Sequence, residues 1–172
     1  MHTEKEENEN DIIFRKPGTA DGKYLWALAK ASKTLDVNSP YHYLILCRHF
    51  RHTCMIAERK GGIVGFVTAY IPPEIQDTLF IWQVAVAEQA RGRKLGLNLI
   101  IHLFNQVKPR SIRHIASTIT PSNTASVRLF TAVSRELGSS YTFEEEFFGA
   151  SDFGPNAHEP EMLFRIGPIT PA

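Results

Sequence analysis

Apolar stretches alternate with polar and turn-forming segments along the chain from residue 12 onwards. Runs rich in β-branched and aromatic residues predict strands, whereas apolar residues spaced three and four positions apart predict helices. We predict strands at residues 12–14, 53–58, 63–71, 79–87, 112–119, 141–148 and 161–166, and helices at residues 19–32, 40–50, 93–107 and 123–137. The order βααβββαβαββ indicates a single mixed α/β domain.

Turn and cap residues set the boundaries of these elements. The pair Gly61 and Gly62 indicates a hairpin between the second and third strands. The candidate N-caps of the helices are Thr19, Ser39 (followed by Pro40), and either Ser122 or Asn123. Residues 34–38 connect the first two helices, and a Gly-, Pro- and Asn-containing loop at residues 149–160 connects the last two strands.

The fourth predicted strand, LFIWQVAVA, is almost continuously apolar, which is typical of a central strand covered on both faces. Because side chains alternate along a strand, we expect Trp82, Val84 and Val86 to share one face. Core packing is the simplest interpretation of Trp82 at this position.

Charge is distributed unevenly along the 172 residues, although the formal net charge is only +1. Residues 1–11 contain five acids and one base, so the rest of the chain is mildly basic. We expect a disordered acidic tail at residues 1–11 and one folded domain at residues 12–172. A near-neutral total argues against a general nucleic-acid binder and against a binder of anionic membranes.

Targeting signals and disulfide patterns are missing from the sequence. It has no apolar stretch of about 20 residues and no positively charged N-terminus leading into an apolar segment, so we expect a cytoplasmic location. Cys47 and Cys54 have no CxxC spacing, and we expect two reduced, buried thiols. His158 and Glu161 stand three residues apart, but Pro160 interrupts them and no further ligand cluster accompanies them, so we expect no metal site.

A basic, glycine-containing turn precedes the third helix. The residues Arg91, Gly92, Arg93 and Lys94 lead into a helix N-terminus, where backbone N–H groups and the positive end of the helix dipole favour a phosphate group. The turn matches neither a Walker A loop nor a Rossmann fingerprint. Phosphate binding and simple solvation of the charges both remain open from the turn alone.

The element order, together with this turn, resembles the GNAT acetyltransferases, whose turn reads Arg/Gln-x-x-Gly-x-Gly/Ala. Here Lys94 stands where the family has a glycine, and Phe130 stands where many members have a tyrosine that protonates the leaving thiolate. The resemblance implies a central, twisted, mixed sheet of about seven strands with about four helices, and acetyl-CoA as co-substrate. It assigns cofactor binding to Val84, Val86, Arg91, Gly92, Arg93, Lys94, Leu95, Gly96, Asn123 and Ser126.

Longer strings resemble one branch of that family, the L-2,4-diaminobutyrate acetyltransferases of ectoine biosynthesis. They include LDVNSPYHYLILCRHFRHTC, VGFVTAYIPP, DTLFIWQVAVA and HEPEMLFRI. The resemblance implies acetyl transfer from acetyl-CoA to the 4-amino group of diaminobutyrate, in a homodimer. It implies that the substrate-binding residues are Asp36, Tyr41, Trp82, His158 and Glu161. The alternatives are another small amine as acceptor, or an acyl-CoA-binding domain without catalysis.

Amine acetylation has its own chemical requirements. An alkylammonium must be bound, deprotonated and held near the thioester carbon, and carboxylates serve the first two needs. We expect Glu161 to take the proton, Asp36 to hold an ammonium and His158 to contact the amine, although the roles of the two carboxylates could be exchanged. A backbone N–H near Val84, beside a strand bulge, would bind the oxyanion. A local turn is the alternative for Asp36, and a cysteine nucleophile is the competing mechanism.

Overall fold

The computed structural model describes residues 12–33, 35–107, 111–155 and 158–170. The expected acidic tail at residues 1–11 lies outside these ranges, as do Thr34 of the first connecting loop, residues 156–157 of the last one and residues 171–172. Within the described ranges, all eleven predicted elements are present and follow the predicted order. The seven strands form one mixed sheet flanked by four α-helices, which confirms the predicted fold class.

The strands and helices have the following bounds. The strands are β1 (Ile13–Arg15), β2 (Cys54–Arg59), β3 (Gly62–Tyr70), β4 (Thr78–Val86), β5 (His114–Ile119), β6 (Tyr141–Phe148) and β7 (Glu161–Ile166). The helices are α1 (Gly22–Ser32), α2 (Pro40–His49), α3 (Leu95–Val107) and α4 (Thr124–Glu136). The strand order across the sheet is β1-β2-β3-β4-β5-β7-β6.

Two of the candidate N-caps are confirmed and one is wrong. The Ser39 hydroxyl accepts from the backbone N–H of His42, and Asn123, rather than Ser122, caps α4 by accepting from the N–H of Ser126 at 3.1 Å. Thr19 instead begins a short 3₁₀ turn, and α1 starts three residues later at Gly22. Gly18 is the N-cap of that turn, and Asp21, its third residue, accepts from the N–H of Gly18 at 2.7 Å, so the turn begins without the side-chain cap expected from the threonine.

Strands β1 to β4 are antiparallel, and β4 and β5 form the parallel pair at the centre of the sheet. That parallel pairing covers only three residue pairs and ends at Phe80 opposite Ala116. On the far side of β5, β7 and β6 continue the sheet in antiparallel register. The two halves of the sheet are therefore joined by a short ladder and diverge beyond it.

A β-bulge in β4 changes which face its side chains occupy. Ala69 pairs with Ile81 and Thr68 pairs with Gln83, so Trp82 is the extra residue. Before the bulge, Ile81 packs in the core with α3, and after it Val84 and Val86 pack against that same core. Trp82 lies on the other face, against α2, so the expectation that it shares a face with the two valines is wrong. Strict alternation fails because the bulge inserts one residue.

Both faces of the sheet carry an apolar core. The larger core joins α3 and α4 to the sheet, and the smaller one joins α1 and α2 to it. Cys47 and Cys54 are buried and form no disulfide, which confirms the expectation of two thiols. Burial raises the pKa of Cys47 to about 11 and that of Cys54 to about 12, so both remain protonated and unreactive at neutral pH. Among the described helices, none has the length and apolar character of a membrane span.

Candidate active site between the diverging strands

A cavity opens where β4 and β5 separate. At the end of their ladder the Ser117 hydroxyl donates to the Ile81 carbonyl at 3.0 Å, and no described strand pairs with this edge of β4 beyond that point. The space between the strands, which we name the inner cavity, has a volume of about 300 Å³ and is lined by residues 81–84 of β4 and by residues 117–120 at the end of β5. It lies at the centre of the sheet, where the parallel strands end.

Four residues expected to bind the substrate line the inner cavity. They are Asp36, Trp82, His158 and Glu161, and they come from the α1–α2 loop, β4, the segment before β7 and the first position of β7. Among the described lining residues there is no lysine or arginine. Two carboxylates and an imidazole therefore give the cavity the electrostatic character of a site for a cationic amine.

The hydrogen bond of His158 determines which of its nitrogens can accept a proton. Its Nδ1 lies within hydrogen-bond distance of the backbone carbonyl of Glu159, and a carbonyl can only accept, so Nδ1 carries the hydrogen. In the neutral ring, Nε2 is then the nitrogen with the free lone pair. The ring also stacks on Phe153 with 3.9 Å between centroids, which fixes its plane.

Tyr41 is not brought to the inner cavity. The buried face of α2 consists of Tyr43, Leu46 and Cys47, and two residues along a helix rotate the side chain by about 200°. Tyr41 consequently projects away from the sheet, is 69% exposed and lines a separate surface groove with Leu44. The structure thus does not support the expected contact of this residue with a substrate in the inner cavity.

Trp82 is not a core residue. Its side chain is 47% exposed, and its ring makes an edge contact with His42, with 4.8 Å between centroids. Tyr70 contacts it as well, with 6.0 Å between centroids. Burial lowers the pKa of His42, so a neutral imidazole supports the indole at the wall of the inner cavity.

A long groove continues from the inner cavity to the basic turn. Its inner part, of about 310 Å³, shares Val84, Asn123 and Ser126 with the inner cavity. Its outer part, of about 910 Å³, shares Val86 and Gly96 with the inner part. We call the two parts together the cofactor groove. Its described lining includes, of the expected cofactor-binding residues, Val84, Val86, Arg91, Gly92, Lys94, Leu95, Gly96, Asn123 and Ser126.

The turn between β4 and α3 adopts the conformation that a phosphate-binding loop needs. Gly92 has φ +77° and Lys94 has φ +56°, and α3 begins directly afterwards at Leu95 rather than at Arg93. A left-handed lysine costs roughly 1–2 kcal/mol relative to glycine. The exposed Arg91 contacts the Val86 carbonyl through Nε at 3.4 Å, whereas Arg93 is not among the groove-lining residues.

Sequence comparison identifies the family. The family model described as "Acetyltransferase (GNAT) family" matches residues 23–133, which include the turn, α3 and most of α4. This chain belongs to the GNAT acetyltransferase family. The acetyltransferase from Shouchella clausii named for L-2,4-diaminobutyric acid is 45% identical to it, over 92% of this chain and 88% of its own length. The protein of the same name from Marinococcus halophilus is 42% identical, over 94% of this chain and 92% of its own length.

Solved structures agree with the sequence matches. The diaminobutyrate acetyltransferase EctA of Paenibacillus lautus, in complex with L-2,4-diaminobutyric acid and coenzyme A, superposes with a TM-score of 0.87 at 40% identity, covering 94% of this chain and 98% of its own. The yncA acetyltransferase of Salmonella typhimurium with acetyl-CoA has a TM-score of 0.72 at 16% identity, covering 95% and 96%. At that identity, the second likeness concerns the fold alone. The chain is an acetyl-CoA-dependent N-acetyltransferase.

In this GNAT acetyltransferase, two polar residues that the sequence did not reveal support the site. Gln83 is buried in β4, and its amide reaches the backbone of Asp36. Glu159 holds Ser122, since its two carboxylate oxygens accept from the hydroxyl and from the backbone N–H of that serine. Neither residue belongs to a motif. Their only sequence signals are their positions: Gln83 lies within an apolar strand, and Glu159 lies between His158 and Glu161.

Phe130 of the acetyltransferase lines the inner cavity and is 3% exposed. Its ring packs against Phe164 with 5.6 Å between centroids, and it has no proton to give to a leaving thiolate. Among the described residues, no group of three metal-ligating side chains is found.

Proposed function

We propose that this enzyme is an L-2,4-diaminobutyrate acetyltransferase, which transfers acetyl from acetyl-CoA to the 4-amino group of L-2,4-diaminobutyrate. The observation that carries the proposal is the convergence of Asp36, Glu161 and His158 in a cavity continuous with the cofactor groove. The similarity to proteins of that name over at least 90% of the chain supports the same substrate. The product is N4-acetyl-L-2,4-diaminobutyrate. The proposal places the reaction in ectoine biosynthesis, a response to osmotic stress, and in the cytoplasm.

The cofactor groove fits acetyl-CoA in two ways. The backbone of the turn at residues 91–94 and the N-terminus of α3 receive the pyrophosphate, where positive side chains and the positive end of the helix dipole coincide. The thioester then lies where the groove meets the inner cavity, beside Val84 and Ser126, which line both. Backbone groups of β4 after the bulge have no strand partner on that side among the described residues and can bind the oxyanion.

The acceptor side supplies the proton chemistry. Asp36 holds an ammonium of the substrate, Glu161 takes the proton from the 4-ammonium, and His158 accepts a hydrogen bond from the amine through Nε2. The free amine nitrogen forms a bond to the thioester carbon, the carbon–sulfur bond breaks, and the electron pair leaves with the CoA sulfur as a thiolate. The nitrogen, now that of an amide, loses its remaining extra proton to solvent. Solvent protonates this thiolate, since Phe130 has no hydroxyl group. Transfer is direct, because both thiols of the protein are buried and protonated.

A homodimer is part of the proposal. The strand β6 forms one edge of the sheet, and its aromatic residues Tyr141, Phe147 and Phe148 are each more than 40% exposed. An exposed edge with apolar side chains is the type of surface that proteins cover by association. A second copy of the chain is the partner that the family resemblance implies.

The decisive experiment is a coupled CoA-release assay with acetyl-CoA and four amines: diaminobutyrate, its methyl ester, ornithine and lysine. We expect the highest kcat/KM with diaminobutyrate, and NMR of the product should place the acetyl group on the 4-amino nitrogen. Greater activity with ornithine or lysine would favour another small-amine acetyltransferase. CoA binding without turnover of any amine would favour a non-catalytic domain.

A further inference from the structure

The loop that carries Asp36 is fixed to β4 by buried hydrogen bonds. Gln83 is 5% exposed, and its Nε2 donates to the backbone carbonyl of Asp36 at 2.8 Å. Its Oε1 accepts from the hydroxyl of Tyr43 at 3.0 Å, and Tyr43 is fully buried on α2. Asn38 also hydrogen-bonds to this hydroxyl, through its side chain and its backbone. Gln83 and Tyr43, which we call the loop clamp, therefore hold the loop at two positions, residues 36 and 38.

The orientation of the loop clamp is determined by its chemistry. A backbone carbonyl can only accept, so the amide of Gln83 must present its nitrogen to Asp36 and its oxygen to Tyr43. The hydroxyl of Tyr43 donates to that oxygen and accepts from Asn38. Each polar atom of the clamp thus has a partner of the correct kind, and reversing the amide would set its oxygen against the carbonyl oxygen of Asp36, two acceptors with no hydrogen between them.

The bulge at Trp82 brings Gln83 to this position. If residues 81–83 alternated as in a regular strand, Gln83 would share the face of Ile81, which packs in the core with α3. With the bulge, Gln83 lies on the face of Tyr43, while Trp82, the inserted residue, lines the inner cavity. One insertion in β4 thereby creates both the aromatic wall of the cavity and the anchor of the loop opposite.

We infer that Gln83 and Tyr43 are positioning residues, which hold the Asp36 carboxylate at the inner cavity and thereby set the affinity for the amine substrate. The inference rests on the proposed function for the identity of that substrate. Tyr43 does not line the inner cavity, so its hydroxyl acts through Gln83 and the loop. Asp36 is itself exposed, and its backbone is restrained by the bond from Gln83 beside the packing of the neighbouring Leu35 on the smaller core.

Tyr43→Phe is the primary test, because it removes only the hydroxyl and keeps the buried ring. Losing a buried hydrogen bond should raise the KM for diaminobutyrate about three- to tenfold, with the KM for acetyl-CoA unchanged. The matched control is Thr53→Val, which removes another buried hydroxyl that donates to a backbone carbonyl, that of Ala69 at 2.7 Å, outside the inner cavity and the cofactor groove. This control should leave both KM values at the wild-type level. Gln83→Met replaces Tyr43→Phe if the latter does not fold.

Hydrogen–deuterium exchange tests the clamp without the reaction. The backbone amides of residues 35–38 should exchange faster in Tyr43→Phe than in the wild type, and at the wild-type rate in Thr53→Val. An unchanged KM for diaminobutyrate, or an equal rise in both KM values, overturns the inference even if exchange becomes faster. If the wild type does not acetylate diaminobutyrate, the proposed function fails, and unchanged exchange at residues 35–38 then overturns the clamp separately.

Discussion

His158 and Glu161 reach the same cavity from positions three residues apart, and each contributes a different chemistry. The spacing resembles a metal-binding pair, but the carbonyl of Glu159 occupies Nδ1 of the imidazole. What remains is a lone pair on Nε2 and a carboxylate, both suited to an amine. The sequence predicts both residues at one pocket, and both line the inner cavity. Their roles toward an amine stay a prediction, and the sequence did not indicate how the histidine is oriented.

Replacing Glu161 by glutamine tests the assignment of the base. Glutamine keeps the size of the side chain but cannot take a proton, so we expect kcat to fall about 100-fold with a smaller change in KM. Asp36→Asn is the comparison variant and should mainly raise the KM for the amine. A larger loss of kcat in Asp36→Asn than in Glu161→Gln would exchange the roles of the two carboxylates.

Tyr41 and Lys94 show what residue-level reading misses. The resemblance placed Tyr41 at the substrate, yet the rotation of α2 turns it toward solvent. Lys94 adopts the left-handed backbone conformation that the family's glycine usually supplies, so the loop geometry is kept despite the side chain. The direction of the Tyr41 side chain follows from its rotational position on α2, and the shape of the turn follows from the backbone conformation of Lys94.

The existence and the order of the helices and strands were predictable from the sequence. The bulge and the strand register, which determine where side chains point, were not. Apolar periodicity located all seven strands and four helices, and Ser39 and Asn123 were recognisable caps. The bulge in β4 has no local sequence signal, because LFIWQVAVA has the pattern of a regular strand, and only the family resemblance implied a bulge near Val84. The position of Gln83 depends on it, and so does the loop clamp. Long-range hydrogen bonds of this kind follow from register, which a local pattern does not specify.

The contact between Glu159 and Ser122 links two elements, the segment that leads into β7 and the start of α4. It therefore joins the proton-transfer residues to the cofactor side at Asn123. We expect Glu159→Ala and Ser122→Ala each to lower kcat/KM about three- to tenfold, with little change in Tm, because both side chains are exposed. The kcat/KM of the double variant should be no lower than that of either single variant, because both substitutions remove the same contact. Steady-state kinetics on all three variants measures this. Ser151→Ala, at another exposed serine in the 149–160 loop, should behave like wild type, and additive losses in the double variant would contradict the link.

At the scale of the whole molecule, the N-terminal strand is fixed to the sheet by ion pairs. Arg15 makes two hydrogen bonds to Asp21, at 2.8 and 3.0 Å, and one to Glu58 on β2 at 2.8 Å. The Arg15 guanidinium, aided by the backbone N–H of Gly18, lowers the pKa of the Asp21 carboxyl below its usual range. A lowered pKa in the folded state stabilises the protein above the unfolded pKa, and this stabilisation is lost as the pH falls through the folded value.

We therefore expect Asp21→Asn to lower the free energy of unfolding at pH 7 by about 1–3 kcal/mol, the contribution of charge-assisted hydrogen bonds. The variant should also lose part of the decrease in stability that the wild type shows between about pH 5 and pH 2. Urea unfolding at a series of pH values measures both effects. Glu74→Gln, which removes an exposed acid, is the control. Parallel pH curves for wild type and Asp21→Asn would rule out this role for Asp21.

The short ladder between β4 and β5 has a mechanical consequence. Three residue pairs join a four-stranded plate, β1 to β4, to a three-stranded one, β5 to β7, and the inner cavity lies in the angle between them. Asp36 and Trp82 stand on the side of the first plate, and Glu161 stands on the second. A small rotation of one plate against the other would change the distance between the carboxylates of Asp36 and Glu161. A ligand that contacts both carboxylates would therefore fix the angle between the two plates.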